Sequence, residues 1–397
     1  MKKILFVLCI CYMMFLSSCS SQESNVLSES ENESVSAWYT GYSQIYLNDS
    51  GVFFLRNDPF SGGEQLYFYD YQSTAFVPLC NKPECSHKAV DVTTSKALCN
   101  AQICTTAFVE YQNRIYYIGT TEMNLSLCVR DIDGENDKMI AKLDASYMGA
   151  RFWIYDNTAF VTAATSVSDS FSPETHSSNQ SEKILFAVDI KSGKVTELAR
   201  SPLASSPNTF VAYHFEKGIV SFYDEFLDEW FIYNIQTQAY ESDSKMNELM
   251  PDISFDGYSS DGDLAMAFVG DYIYCLGNFE TEIVLISLKT GERQVIDITK
   301  RDISGYCELK DYGLIFMEMD GDGNQEMYLF DYDHGNLLNI SGCELNRSDT
   351  FVYISGRKNG LVYQFFNQDT EMFEYRYVTI ENILDGSDEY QFICNSD

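Results

Sequence analysis

The chain repeats a unit of four short strands at a nearly constant interval, and this repeat restricts its fold more than any other feature. From Ala37 onward, runs of Tyr, Phe, Ile, Val and Leu alternate with polar residues and are separated by Gly, Asp and Asn. Such a period of two is typical of half-buried β-strands. We find no stretch of ten or more residues with helical spacing, and residues 244–250 supply at most two turns. The sequence therefore predicts an all-β chain.

The third strand of each unit ends in a similar way, which allows the units to be counted. The clearest copy is Ile184-Leu-Phe-Ala-Val-Asp189, which runs into a turn at Gly193 and a short fourth strand. Comparable strands end 44 to 61 residues apart, about 51 on average, at Asp70, Asp131, Asp189, Asn234, Ser287, Asp331 and Tyr377. Seven units of this size account for residues 38–394.

The second strands give the same count of seven. They are Val52–Leu55, Ile115–Ile118, Ala159–Val161, Ile219–Phe222, Tyr272–Tyr274, Leu314–Phe316 and Leu361–Tyr363. Four-stranded units repeated at this interval are typical of a β-propeller, whose blades bury both faces only against their neighbours. A β-sandwich would not repeat its turns seven times. We predict a single β-propeller of antiparallel blades, with seven favoured over six or eight, an innermost first strand within residues 38–46, and ring closure by packing.

The N-terminus has the features of a processing signal. Lys2 and Lys3 precede an uncharged apolar run, Ile4–Leu16, which is shorter than the roughly 20 residues needed to span a bilayer. The following Leu16-Ser17-Ser18-Cys19 resembles the bacterial lipobox, and the resemblance implies cleavage before Cys19 and diacylglycerol lipidation of its thiol. An ordinary secretory peptide is the alternative.

These features divide the chain into three predicted segments. They are a lipoprotein signal peptide (1–18), a lipidated Cys19 with a flexible Ser/Glu-rich tether (19–37), and the β-propeller domain (38–397). The location predicted is the extracytoplasmic face of a bacterial membrane, held there by two acyl chains.

The charge balance excludes nucleic acid as a partner. The chain has 59 Asp and Glu against 26 Lys and Arg, a formal net charge of -33, which repels phosphate backbones. No basic tract exceeds Lys2-Lys3 or Lys300-Arg301. At 45% hydrophobic and 15% aromatic residues, the acidic chain can still bury a large core.

A cluster of cysteines lies between the fourth strand of the first unit and the first strand of the second. It comprises Cys80, Cys85, His87, Cys99 and Cys104. Cys80, Cys85, His87 and Cys99 form a ligand set suited to tetrahedral zinc. A disulfide staple, with Cys80 joined to Cys104 and Cys85 to Cys99, is natural outside the cytoplasm and is favoured over the metal; free thiols are the third interpretation. The staple and the metal both predict a structural role, because this polar loop has little apolar content to order it.

Three further patterns have ordinary interpretations. Five cysteines lie singly in apolar runs and are expected to be buried: Cys128, Cys275, Cys307, Cys343 and Cys394. The side-chain oxygen ligands of Asp320-Gly-Asp-Gly-Asn-Gln-Glu326 alternate as in calcium loops, but Gln325 stands where such a loop requires glycine, so a hairpin is favoured over calcium. The tryptophans Trp38, Trp153 and Trp230 are expected in the core, although aromatic side chains can also stack on sugars.

Together these motifs resemble a known group of proteins. The lipobox, the tether, Ile115-Tyr-Tyr-Ile118, Asp131-Ile-Asp-Gly134 and the Pro78–His87 cysteine motif resemble uncharacterised β-propeller surface lipoproteins of anaerobic Gram-positive, Clostridia-type bacteria. The propeller itself is similar to the TolB-like and low-density-lipoprotein-receptor-like groups. The resemblance implies a fold and a location, and it transfers no activity.

Known catalytic motifs are missing from the sequence. It contains no Gly-x-Ser-x-Gly elbow, no phosphate-binding glycine loop and no His-Glu-x-x-His pair. We therefore predict no enzyme, but a binding or scaffolding module for a protein, peptide or glycan on the loop face, where Thr165–Glu182 is the longest interruption. The alternatives are a carbohydrate-active lyase or hydrolase with carboxylates in the propeller channel, and a structural accessory of an envelope complex.

Overall fold

Strand pairing divides the chain into seven four-stranded antiparallel blades. The computed structural model describes residues 45–57, 64–87, 90–91, 96–97, 99–105, 107–121, 124–165, 182–201, 210–216, 218–224, 227–250, 266–277, 282–297, 303–310, 312–319, 325–341, 354–357 and 359–395. All of them belong to one compact unit, residues 35–397. The predictions for Cys19, Trp38 and Cys343 lie outside the described residues.

Blades one to three occupy the N-terminal half of the ring. Blade one contains β1 (Ile45–Leu47), β2 (Gly51–Asn57), β3 (Glu64–Asp70) and β4 (Phe76–Pro78). The loop after it carries β5 (Val90–Asp91), β6 (Lys96–Ala97) and β7 (Gln102–Ile103). Blade two contains β8 (Phe108–Tyr111), β9 (Arg114–Thr121), β10 (Asn124–Asp131) and the first part of β11 (Lys138–Tyr155). Blade three contains the rest of β11, β12 (Thr158–Ala164), β13 (Lys183–Asp189) and β14 (Val195–Arg200).

Blades four to seven complete the ring. Blade four contains β15 (Phe210–Glu216), β16 (Ile219–Asp224), β17 (Glu229–Asn234) and β18 (Ala239–Ser242). Blade five contains β19 (Met266–Val269), β20 (Tyr272–Gly277), β21 (Glu282–Ser287) and β22 (Arg293–Asp297). Blade six contains β23 (Ile303–Lys310), β24 (Gly313–Met319), β25 (Gln325–Asp331) and β26 (Asn336–Asn339). Blade seven contains β27 (Ile354–Arg357), β28 (Gly360–Asn367), β29 (Met372–Thr379) and β30 (Gln391–Asn395). The predicted all-β, seven-bladed propeller is confirmed.

Two connections between blades keep the strand pairing continuous. The first part of β11 pairs with β10, with Leu127 opposite Ala141, and its last part pairs with β12, with Phe152 opposite Val161. The outer strand of blade two thus continues directly into the inner strand of blade three. The inner strands of blades six and seven, β23 and β27, pair in parallel at Leu309 and Gly356.

Blades one and seven close the ring by side-chain packing. Their interface is a shared apolar cluster that includes Leu47, Phe54, Val362 and Ile393. Among the described residues, the sheet of blade one uses only strands from 45–103 and blade seven only strands from 354–395, which agrees with the prediction of closure without an exchanged strand.

Aromatic and sulfur-containing side chains fill the interfaces between blades. Phe160 of blade three meets Phe222 of blade four edge to face, with ring centroids 5.3 Å apart. The predicted burial is confirmed for Trp153, Trp230, Cys128, Cys275 and Cys394, which are all less than 10% exposed. Cys307 lies in β23.

Helix is confined to two short segments of the described chain. Helix α1 (Ser244–Leu249) follows blade four; the side chain of Asp243 caps it by accepting a 3.0 Å hydrogen bond from the amide of Met246. Helix α2 (Ile380–Leu384) links β29 and β30 and was not anticipated from the sequence. Within the described residues, no helix has the length and apolarity needed to cross a bilayer.

Candidate metal centre

A loop follows β4 of blade one, and both of its ends bond to the neighbouring strand β3. The amide of Leu79 donates to the carbonyl of Leu66, and the amide of Leu66 donates to the carbonyl of Ala101, both at 2.9 Å. Strand β7 then pairs with β3, with Gln65 opposite Gln102. Both ends of residues 80–100, the cysteine loop, are therefore anchored on β3.

Four side chains of the cysteine loop converge on one point. The Sγ atoms of Cys80, Cys85 and Cys99 and a ring nitrogen of His87 all lie within 4.8 Å of one another. His87 Nδ1 is 3.6 Å from Cys99 Sγ. Cys99 is buried, and the other three are half-buried. These are the four residues that the sequence proposes as zinc ligands.

The fifth cysteine of the sequence motif stands apart from this group. Cys104 is exposed and is not among the converging side chains, and no disulfide joins it to Cys80, Cys85 or Cys99. The structure therefore brings together the proposed metal ligands, and it does not pair Cys80 with Cys104.

Backbone amides point at two of the sulfur atoms. The amide of Ala101 donates to Cys99 Sγ at 3.3 Å, although burial outweighs this bond and raises the pKa of the Cys99 thiol to about 12. Burial also opposes ionisation of Cys80, but donation from the Lys82 and Asn100 amides and the Cys99 and Cys85 thiols outweighs it and lowers its pKa. Amide donors of this kind stabilise sulfur as thiolate.

The backbone near His87 is held in an unusual conformation. His87 has φ 52° and Glu84 has φ 58°, in the left-handed region that residues with a Cβ seldom adopt. The side-chain amide of Gln65, itself 3% exposed, donates to the carbonyl of His87 at 2.8 Å. A buried glutamine thus fixes the segment that presents the imidazole.

Arg130 of blade two, which is 1% exposed, forms hydrogen bonds to the C-terminal end of the cysteine loop. Its Nη1 donates to the carbonyls of Asn100 at 3.1 Å and Gln102 at 2.7 Å, and its Nη2 donates to Ala101 at 3.3 Å. Burial lowers the pKa of Arg130. Because Arg130 lies on β10, the loop connects blade one to blade two.

Two further contacts seat the loop on the turn between β10 and β11. The side chain of Asn81 donates to Asp133 Oδ2 at 2.9 Å. Gly134 has φ 82°, and a Cβ on it would lie 1.9 Å from the carbonyl oxygen of Asn100. Only glycine combines this backbone conformation with such a close approach.

An open groove of about 570 Å³ lies beside the cluster, between the loop and blade two. Its walls are formed by residues 78–81, 112–114 and 131–133, including the sulfur-bearing Cys80. Arg114 and Asp131 face each other across 3.1 Å, and both are partly exposed. The groove is therefore open to solvent and carries an exposed ion pair beside apolar side chains such as Leu79 and Ile132.

Two residues that hold the cysteine loop in place, Arg130 and Gln65, were not predicted from the sequence. Arg130 lies in the predicted third strand that ends at Asp131, after three apolar positions, Leu127 to Val129. A charge that follows such a buried run is a signal that could have revealed it. Gln65 offered no such signal, because its partner is a carbonyl 22 residues away.

Two other candidate segments lie largely outside the described residues. The predicted recognition loop, Thr165–Glu182, connects β12 to β13, and residues 166–181 are not described. The Asp320–Glu326 pattern connects β24 to β25, as a hairpin would, and residues 320–324 are not described.

Sequence comparison finds no matching protein-family profile and no matching curated protein. Solved structures match across most of the chain. A puromycin-hydrolyzing peptidase of Mycobacterium tuberculosis superposes with a TM-score of 0.54 and 11% identity, over 91% of this chain and 56% of that one. A puromycin hydrolase gives a TM-score of 0.50 and 11% identity, over 90% and 55%. The β-propeller domain of the Trilobed protease of Pyrococcus furiosus gives 0.43 and 13%, over 89% and 99%.

These likenesses show the fold alone. The chain spans a little over half the length of the two puromycin-hydrolysing proteins it resembles. They nevertheless overturn the prediction that the chain is not an enzyme, because proteins with the same fold include peptidases. A propeller can bring residues of different blades together without a local sequence motif, so missing motifs do not exclude catalysis.

Proposed function

We propose that Cys80, Cys85, His87 and Cys99 bind one Zn²⁺ ion that holds the cysteine loop in place. The observation that carries this proposal is the convergence of three sulfur atoms and one imidazole within 4.8 Å. Four protein donors complete a tetrahedral zinc shell and leave no position for water or substrate, which is typical of structural rather than catalytic zinc.

The donor set fits zinc in chemistry and in size. Thiolate and imidazole ligands favour zinc over calcium and magnesium, which prefer oxygen. Tetrahedral Zn–S bonds of about 2.3 Å would put neighbouring sulfurs roughly 3.8 Å apart. Because the donor atoms all lie within 4.8 Å of one another, a contraction of about 1 Å or less brings them to this spacing. The amide and thiol donors around Cys80 already lower the pKa of its thiol.

A metal would also offset the cost of ordering this loop. Fixing each backbone residue costs about 1–2 kcal/mol in conformational entropy. Residues 81–84 and Ser86 are exposed and bury little apolar surface in return. Metal binding can supply the missing stability, because a site that exists only in the folded protein adds its binding energy to folding.

The test is native mass spectrometry and metal analysis of the full-length protein, purified in detergent without oxygen. We expect one zinc per chain, loss of zinc in Cys85→Ser, and full zinc in the control Cys104→Ser, whose cysteine lies outside the group. Cobalt in place of zinc should give the intense visible bands of tetrahedral thiolate coordination. Reduced protein without stoichiometric metal, or equal loss in Cys104→Ser, would refute the site.

We also propose that the chain is a lipoprotein anchored through Cys19 on the extracytoplasmic face of a bacterial membrane. The support is the sequence Leu16-Ser17-Ser18-Cys19 after a charged and apolar leader. Cys19→Ala, or inhibition of the lipoprotein signal peptidase, should leave an unprocessed chain of higher mass. A wild-type chain that shows no lipid by mass spectrometry would contradict the anchor.

For the propeller we propose a binding role toward an extracytoplasmic protein, peptide or glycan at the groove beside the metal centre. The groove offers Gln112, Asn113 and the Arg114–Asp131 pair as polar contacts. Peptide and glycan arrays, followed by affinity measurement, would identify the ligand. Chemical conversion of the bound peptide or glycan is measured in the same samples. Arg114→Ala should weaken binding about tenfold, and an unchanged affinity would remove the groove from the proposal.

A further inference from the structure

Arg130 is a buried cation that has no carboxylate in contact among the residues that the structure describes. Its guanidinium donates only to the three carbonyls of residues 100–102, and its Nε has no hydrogen-bond partner among the described residues. None of the ion pairs between described residues includes Arg130. A buried charge left in this state is strongly unfavourable unless a negative group lies nearby.

The nearby carboxylates make no hydrogen bond to Arg130 among the described residues. Asp137 accepts a 2.6 Å hydrogen bond from the hydroxyl of Tyr117, and Asp133 accepts one from Asn81. Both act on Arg130 only through space, as does the sulfur of Cys99. The three carbonyls that Arg130 holds follow Cys99 directly in the chain, so the guanidinium is bonded to the backbone that leaves one of the converging ligands.

The charge of the cluster depends on its chemical state. Two disulfides, or free thiols with a neutral imidazole, carry no charge. A Zn²⁺ ion with three thiolates and a neutral imidazole carries a net charge of -1. The zinc form is therefore the state of the cluster that adds a counter-charge to those of Asp133 and Asp137.

We propose that Arg130 is a positioning residue of the zinc centre: it neutralises the centre's net negative charge and holds the chain that follows Cys99. This inference rests on the proposed zinc site. It also assigns the metal a role beyond blade one, because Arg130 belongs to β10 of blade two. Loss of zinc then weakens the contact between the two blades.

The test varies the charge of the centre while Arg130 is present or replaced. The zinc dissociation constant of the full-length protein is measured by competition with a chromophoric chelator. Wild type has a centre of charge -1, His87→Cys of -2, and Cys85→His of zero. Each is compared with and without Arg130→Met, a neutral side chain of similar length.

We expect Arg130→Met to weaken zinc binding about 10- to 100-fold in wild type, the range typical of residues that support metal ligands. The factor should be larger in His87→Cys and smaller in Cys85→His, where only the contacts with the carbonyls of residues 100–102 remain. Arg130→Lys should keep most of the affinity, because it keeps the charge. The control Arg114→Met, on the neighbouring strand β9, should leave the affinity unchanged.

The outcomes separate this role from the zinc site itself. A wild-type protein without zinc would overturn both proposals. Zinc in wild type with the same loss in every background would leave the site and reduce Arg130 to a steric support, which overturns the charge role. If Cys85→His fails to bind zinc, or if Arg130→Met fails to fold, a second comparison tests the charge role. The zinc affinities of Arg130→Lys and Arg130→Gln are then compared, each in wild type and in His87→Cys. Equal losses for Lys and Gln would refute the proposal.

Discussion

The hydroxyl of Tyr69 in blade one donates a 2.7 Å hydrogen bond to the side-chain oxygen of Gln391 in blade seven, 322 residues later in the chain. Beside it, the rings of Tyr71 and Tyr377 stack with centroids 4.4 Å apart. Closure of the ring thus depends on individual side-chain contacts, and their removal can be measured as stability.

Gln391→Ala should destabilise the protein by about 1–3 kcal/mol, because it leaves the hydroxyl of Tyr69, a residue 1% exposed, without its acceptor. Adding Tyr69→Phe should recover part of that loss, since no buried donor then remains unsatisfied. The free energy of unfolding in urea measures both changes. Strictly additive losses would argue against this hydrogen bond as a coupling between the blades.

Zinc should raise the stability of the protein by an amount set by its concentration. At a free zinc concentration 1,000-fold above the dissociation constant, the expected gain is about 4 kcal/mol. Calorimetry with and without chelator measures it. Cys104→Ser should show the full gain, and Cys85→Ser none. A gain of the same size in Cys85→Ser would indicate zinc binding elsewhere.

Gly134→Ala should cost more stability than Gly218→Ala. The two glycines have nearly equal φ, 82° and 81°, but an added Cβ meets the Asn100 carbonyl at 1.9 Å in the first case and nothing within 4 Å in the second. Backbone strain alone costs about 1–3 kcal/mol. The additional loss of stability in Gly134→Ala measures how much the packing of the cysteine loop against blade two contributes. Equal losses in the two variants would refute that contribution.

The metal-free protein should lose stability as pH rises into the alkaline range. Burial raises the pKa of the Cys275 thiol in blade five, whereas the pKa of a cysteine thiol in the unfolded chain is about 8.5. The stability contributed by this raised pKa is fully present below that value and declines above it, because only the unfolded chain then releases the proton. The denaturation midpoint at pH 8 and 10 measures the decline. Cys275→Ala should reduce the slope, and the exposed Cys104→Ser should not.

The blade strands could be predicted because their signal is local. The second strand Ile115–Ile118 and the third strand Leu127–Asp131 both lie inside observed strands, β9 and β10. Alternation along a few residues determines which side chains are buried, and a seven-fold repeat of that pattern leaves few alternatives to a ring. Helix α2 was missed because five residues carry too little periodicity.

The candidate metal centre could be predicted only in part. The types and order of Cys80, Cys85, His87 and Cys99 indicate a metal or a disulfide staple, since both chemistries need the same residues. Spacing could not decide which of five side chains converge, because the conformation of a loop depends on what it packs against.

The sequence by itself determined an all-β chain of seven repeated units, because strand patterns and turns are properties of neighbouring residues. Tertiary structure alone decided that Cys104 stays outside the cluster, that Gln65 supports His87, and that Arg130 of blade two holds the chain after Cys99. These contacts join segments that are distant in sequence. They exist only after the blades have packed, because a buried cation or amide chooses its partner from whatever the fold places beside it.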